Sequence, residues 1–140
     1  MIKVIIGLMI LVNMLHAEQK AVFDCAAKDM RFVHSRMSLI EITAKELKAK
    51  DTAYDFVLTI HSKCTQIVDA KSDDKVIKGI HKKLQTLKDV HNVKIEVCGI
   101  AVDRLGYERS ELLPFVEIVN NSITRVIELQ NDGYAFIPYH

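Results

Sequence analysis

The sequence predicts an α/β fold, a three-layer α/β/α domain built on a five-stranded, mostly parallel sheet. Two observations carry this. β-Prone runs and helical patterns alternate along the whole chain after residue 20, which is the signature of strand–helix–strand units. The second run, "YDFVLTIHSKC", is nearly continuous in apolar and β-prone residues, as a strand in a covered parallel sheet must be. For five such units the expected strand order is 2-1-3-4-5, which makes strands 1 and 3 neighbours. A ligand site is then expected beyond their carboxyl ends, where the order reverses.

Each element has its own justification. Residues 20–25, "KAVFDC", form a short apolar first strand, and Asp29 is placed to cap the helix that follows. Val33, Met37, Ile40, Ala44 and Leu47 recur at alternating spacings of four and three, one stripe of an amphipathic helix ending near Lys50. Residues 54–61 are the second strand. In "SDDKVIKGIHKKLQTLKD", Ser72 can accept from the free amides of a first turn, and Asp73 and Asp74 sit where the positive helix end favours them. Ile77, Ile80, Leu84 and Leu87 form its buried stripe, with Lys82, Lys83 and Lys88 turned outward. Residues 93–97 are a third strand ending at Cys98, and residues 99–105 a short helix closed by Gly106. "SELLP" is a turn broken by Pro114, and "FVEIV" a fourth strand. Asn121 or Ser122 caps the last helix, "ITRVIELQ", which stops at Gly133. "YAFIPY" is the fifth strand, and Pro138 suits a sheet edge because it cannot donate to a central ladder.

At 140 residues, 49% hydrophobic and 26% charged, the chain is one ordinary globular domain. Its net charge of +1 gives no basic bias, so no nucleic-acid partner is expected. The start differs from the rest. "MIKVIIGLMILVNMLHAEQK" has one early lysine, an apolar stretch over residues 4–15 and a small residue at Ala17. That stretch is short for a membrane span but fits a secretory signal. Residues 1–17 are therefore expected to be a signal peptide and residues 18–140 the domain. This implies a periplasmic or otherwise exported protein, with no stable membrane insertion after cleavage. The competing reading, a buried strand over residues 3–9, loses to the better first strand at residues 20–25.

Three cysteines gather at strand ends: Cys25 after strand 1, Cys64 just past strand 2 and Cys98 at the end of strand 3. With the expected order, Cys25 and Cys98 flank the switch point and come close enough for a disulfide, a bond that export permits. Simple packing is open for Cys25 as well. No metal is expected: no C-x-x-C pair exists, and His61 with the three cysteines makes only an irregular set. No cofactor is expected either, since the chain lacks a G-x-G-x-x-G or P-loop run; it also lacks a G-x-S-x-G elbow. Cys98 has the strongest chemical context. Gly99 permits close backbone approach, the next helix turns its amides toward the sulfur, and Arg104 lies about a turn and a half further on. A hydrolase using Cys98 with His61 also stays open.

Three phrases, "YDFVLTIHSKC", "VKIEVCGIAVDRLG" and "VIELQNDGYAFIPY", resemble the DsrE/DsrF-like (YchN-like) family of small sulfur-handling proteins, over residues 20–139. The resemblance implies a three-layer α/β/α domain that assembles as a trimer or hexamer. It also implies that Cys98 accepts sulfane sulfur as a persulfide and passes it on. The partners implied are a sulfur donor or acceptor protein, or a small sulfur compound. Only Cys98 carries over from the family; Cys25 and Cys64 enter from topology, and His61, Arg104 and Gly99 are accessory candidates. The export signal departs from the cytoplasmic relay members, which puts their particular partners in doubt. The leading expectation is a periplasmic sulfur-binding or sulfur-transfer protein, with catalytic turnover left open. The alternative is a non-catalytic oligomeric binding module whose cysteines are structural or disulfide-bonded. Leu112, Leu113 and Phe115 are expected in the core rather than at an interface.

Overall fold

The structure, a computed structural model, describes residues 17–140. Strands β1 (Gln19–Cys25), β2 (Tyr54–Ile60), β3 (Lys94–Cys98), β4 (Glu117–Val119) and β5 (Ala135–Tyr139) alternate with helices α1 (Met30–Ala49), α2 (Lys75–His91), α3 (Gly99–Arg104) and α4 (Ser122–Asn131). Two 3₁₀ segments, Ser62–Val68 and Arg109–Glu111, complete the set. The expected signal peptide, apart from Ala17, lies outside the described residues. No helix among the described residues is long and apolar enough to cross a membrane.

The α/β class and the five-stranded sheet are as expected, and every strand pairing is parallel. The strand order is not 2-1-3-4-5 but β4-β3-β2-β1-β5, so β2 separates β1 from β3. The reason lies in β2 itself. Phe56, Leu58 and Ile60 bury against the face covered by α1 and α2, while Val57 buries on the other face beneath α4. A strand buried on both faces belongs in the middle of a parallel sheet. The outer places go to β4, only three residues long, and to β5, where Phe136 and Ile137 stay partly exposed and Pro138 costs no central ladder bond.

The two faces are unequal. Val33, Met37, Ile40 and Ala44 of α1 and Ile80, Leu84 and Leu87 of α2 pack on the inner residues of β1, β2 and β3. Each of the larger fully buried side chains there contributes roughly 1.5–3 kcal/mol. Leu112 is buried in this core and Leu113 and Phe115 pack against it, the packing role expected of them. On the opposite face α4 covers Val22 and Val57 through Leu129 and Val126, joined by Tyr134 from the turn after the helix.

Two caps follow the sequence and one does not. Asp29 accepts from the Arg31 and Phe32 amides at the start of α1, and Asn121 accepts from Ile123 at the start of α4. At α2 the cap is Asp74, whose Oδ1 accepts from Val76 at 2.7 Å and Ile77 at 3.0 Å. Ser72 instead accepts from the Asp74 amide, bracing the turn before the helix.

This layout positions a crevice. After β3 the chain enters α3 on the α1/α2 side, where Val102 joins the large core; after β4 it enters α4 on the other side. The two connections diverge beyond the carboxyl ends of β3 and β4. The opening therefore lies there, not between strands 1 and 3 as expected.

Candidate functional site

Cys98 ends β3 and is the cap residue of α3, with φ −68° and ψ 115°. It is 6% exposed and lines a cavity of about 470 Å³ in that crevice. Its sulfur accepts a hydrogen bond from the Ser122 amide at 3.4 Å, so α4 reaches back to the end of β3. Burial pushes the Cys98 thiol up. The Ser122 amide and hydroxyl and the amides of Ala101 and Ile100 outweigh it, and the thiol titrates below its ordinary range. The expected role of the α3 amides is present; the larger contribution from Ser122 depended on a tertiary contact.

His61 borders the same cavity. The β2–β3 register pairs Ile60 with Val97, so the next residue of each strand direction, His61 and Cys98, lie side by side. His61 Nε2 meets Asp24 Oδ2 at 2.9 Å and Nδ1 meets the Ser62 hydroxyl at 3.0 Å. The Thr59 hydroxyl donates to the other Asp24 oxygen at 2.6 Å. The Asp24 hydrogen bond raises the pKa of His61 against burial, and the charges of Asp24 and Cys98 add to the rise. Burial pushes the Asp24 carboxyl up, but the hydrogen bonds from His61 and Thr59 and the charges of His61 and His140 hold it below its usual range. Both ring nitrogens of His61 are thus engaged elsewhere. This is not the nucleophile–base pair of a cysteine hydrolase, in which a ring nitrogen faces the sulfur.

Asp24 and Thr59 were not among the residues singled out from the sequence. Their signal was present, a carboxylate inside "VFDC" and a hydroxyl inside "VLTI", both in strands that otherwise bury apolar side chains. Only the register, Asp24 beside Thr59 and Thr59 beside Glu96, shows them as one polar row under α4. Glu96, also buried, is held by Arg125 of α4 through Nε at 2.9 Å and Nη2 at 3.0 Å.

The other candidates separate. Cys25 and Cys64 are joined by a disulfide, with Cα atoms 5.8 Å apart, and both are fully buried on the α1/α2 face. The expected approach of Cys25 to Cys98 does not occur, because β2 intervenes and Cys25 alternates onto the face opposite Asp24. Cys98 is the free thiol. The irregular metal set of His61 with three cysteines is accordingly broken up, and no group of three His, Cys, Asp or Glu among the described residues could hold a metal ion. Arg104 is exposed and lines the cavity. Gly99 does not line it. A Cβ there would lie 3.1 Å from the Val119 carbonyl oxygen, so its glycine serves the close approach of β4 rather than of a ligand.

The DsrE/DsrF-like family model matches residues 20–139. The chain belongs to the DsrE/DsrF-like family. An uncharacterised protein of Aquifex aeolicus (strain VF5) is 43% identical over 126 residues, an alignment covering 86% of this chain and 56% of that relative. The chain thus spans little more than half of that relative's length. Among solved structures, a protein of unknown function from Methanobacterium thermoautotrophicum, MTH1491, superposes with a TM-score of 0.71 at 17% identity, over 87% of this chain and 100% of that one. The ychN protein of E. coli gives 0.66 at 16% identity, over 86% and 99%. At such identities these two similarities show the fold alone.

Proposed function

We propose that this DsrE/DsrF-like protein carries sulfane sulfur as a persulfide on Cys98. One observation carries the proposal: the free thiol lines a cavity with the Ser122 amide donating to its sulfur, while the other two cysteines are bonded to each other.

The chemistry balances without a redox partner. The Cys98 thiolate attacks the terminal sulfur of a donor persulfide, R–S–SH. The new Sγ–S bond forms as the donor S–S bond breaks, and the donor leaves as the thiolate R–S⁻. For onward transfer, an acceptor thiolate attacks the outer sulfur held on Cys98 and Cys98 leaves as a thiolate. Amides that favour the thiolate assist it both as nucleophile and as leaving group. The donor or acceptor is a protein or a small sulfur compound.

Two further expectations belong to this proposal. Export to an oxidising compartment is supported by the Cys25–Cys64 disulfide. Homo-oligomer formation, as a trimer or hexamer, is supported by Ile123 and Ile127 of α4 and Phe136 and Ile137 of β5, which leave apolar surface exposed.

Cyanide strips sulfane sulfur from persulfides as thiocyanate, which supplies the test. Protein incubated with polysulfide and desalted is expected to release thiocyanate in proportion to chain, and Cys98→Ser to release none. Equal release from Cys98→Ser removes Cys98 from the proposal and moves the sulfur to Cys25 or Cys64, whereas no release from either protein favours the non-catalytic binding module.

A further inference from the structure

The transfer step needs Cys98 and a polarising environment; it does not by itself account for Asp24. This carboxylate sits in the central part of the sheet with its side chain 10% exposed, and both of its oxygens are used. The fully buried Thr59 hydroxyl fixes one oxygen, which sets the plane of the carboxylate, and the other holds His61 Nε2. The Ser62 hydroxyl holds the opposite side of the ring at Nδ1. Parallel register puts the ring's residue next to Cys98, and both border the cavity.

We propose that Asp24 and Thr59 are positioning residues that hold His61 as an imidazolium beside Cys98, where its charge stabilises the anionic forms of that sulfur. A neutral ring meets both contacts, Nε2–H donating to Asp24 and Nδ1 accepting from the Ser62 hydroxyl, and so does a doubly protonated one. What favours the cation is negative charge on both sides, the Asp24 carboxylate 2.9 Å from Nε2 and the ionised sulfur of the neighbouring Cys98. A partly buried cation adjacent to a thiolate favours the anion over the neutral thiol. The same cation favours the persulfide anion once sulfur is loaded; only this second consequence rests on the carrier reading of Cys98.

The charged and titratable groups around His61 come from each neighbouring element. Asp24 on β1 and Cys98 on β3 flank it, Lys63 follows it on its own segment, and Arg104 of α3 shares the cavity. His140, after β5, acts on Asp24 from the far side. Glu96 on β3 is already neutralised by Arg125 of α4. Among the described residues, Asp24 is thus the carboxylate that holds the ring.

The test uses the full chain with no sulfur present. NMR titration of His61 is expected to give a lower midpoint in Cys98→Ser than in the wild type, because the neighbouring thiolate is gone. Asp24→Asn lowers the midpoint as well, and Asp24→Glu restores part of it. In parallel, His61→Gln slows iodoacetamide alkylation of Cys98 at about pH 7 by about tenfold, the effect of a one-unit rise in thiol pKa. Circular dichroism and an intact Cys25–Cys64 bond check that the variants fold. A His61 midpoint identical in wild type and Cys98→Ser overturns the proposal, as does wild-type alkylation in folded His61→Gln. If His61→Gln does not fold, the Cys98→Ser titration decides alone. Failure of the carrier reading shows instead in the thiocyanate assay, with this coupling intact.

Discussion

The backbone amide of Ser122 donates to the sulfur of Cys98 across 3.4 Å, joining the first turn of α4 to the last residue of β3. Residues 24 positions apart in sequence are thereby coupled, and the state of the thiol depends on how well α4 begins. That beginning is secured by Asn121, whose side chain accepts from the Ile123 amide at 2.9 Å.

Asn121→Ala should therefore have two linked effects. Loss of the cap destabilises the fold by about 1 kcal/mol. The loosened first turn also weakens the Ser122 contact, so the pH midpoint for Cys98 alkylation rises. Ser122→Ala removes only the hydroxyl and should move the midpoint in the same direction by less. A cap variant that loses stability with no change of midpoint contradicts the linkage.

The pairing of Asp24 with His61 makes stability depend on pH in a defined window. The Asp24 carboxyl is lowered in the fold, so its contribution is present above the unfolded carboxylate value and is lost as pH falls through the depressed folded value. The His61 imidazole is raised, so its contribution is present below the unfolded imidazole value and is lost as pH rises through the raised folded value. Both hold between about pH 4 and pH 6.5. In urea unfolding at about pH 5.5, Asp24→Asn should cost roughly 1–3 kcal/mol, and distinctly less at about pH 8.5. An equal loss at the two pH values speaks against a charged pair.

The Cys25–Cys64 bond closes a loop with a sequence separation of 39 residues. Chain entropy assigns such a closure about 4 kcal/mol, and typical disulfides deliver about 2–4. The double variant Cys25→Ala/Cys64→Ala should lose stability in that range yet still take up sulfur at low temperature. If uptake disappears in a chain that remains folded, the disulfide pair, not Cys98, handles sulfur.

Glu96 is 3% exposed and depends on Arg125 for compensation. Arg125→Ala strands a buried carboxylate and should cost about 3–5 kcal/mol at neutral pH. Replacing both, as Glu96→Leu/Arg125→Met, should recover most of the loss, since the pair itself is close to neutral against a packed apolar equivalent. Denaturant midpoints of the single and double variants measure this. A double variant as unstable as Arg125→Ala points to packing rather than charge.

The alternation of strands and helices, the Asp29 and Asn121 caps and the location of Cys98 at a strand end were legible in the chain. Each is a local matter of periodicity or of a side chain meeting the nearest free amide. Strand order was not, because every connection here joins parallel strands and local pattern does not say which strand lies beside which. The nearly continuous apolar and β-prone run of residues 56–60 fits a strand covered on both faces, though the expected order put it at the edge. With β2 in the middle the cysteines are redistributed: Cys25 pairs with Cys64 across its end, and His61, not Cys25, becomes the neighbour of Cys98. Asp24 was hidden for the same reason. A lone carboxylate in an apolar strand gains meaning only when the strand carrying Thr59 and His61 lies next to it.

The central claim is that Cys98 alone carries sulfur, and intact mass with peptide mapping tests it most directly. Polysulfide treatment should add ~32 Da per sulfur to the peptide containing Cys98, removable by reductant, while the Cys25 and Cys64 peptides stay cross-linked with their ~2 Da deficit. No mass gain on the Cys98 peptide, or a gain found on Cys25 or Cys64, contradicts it.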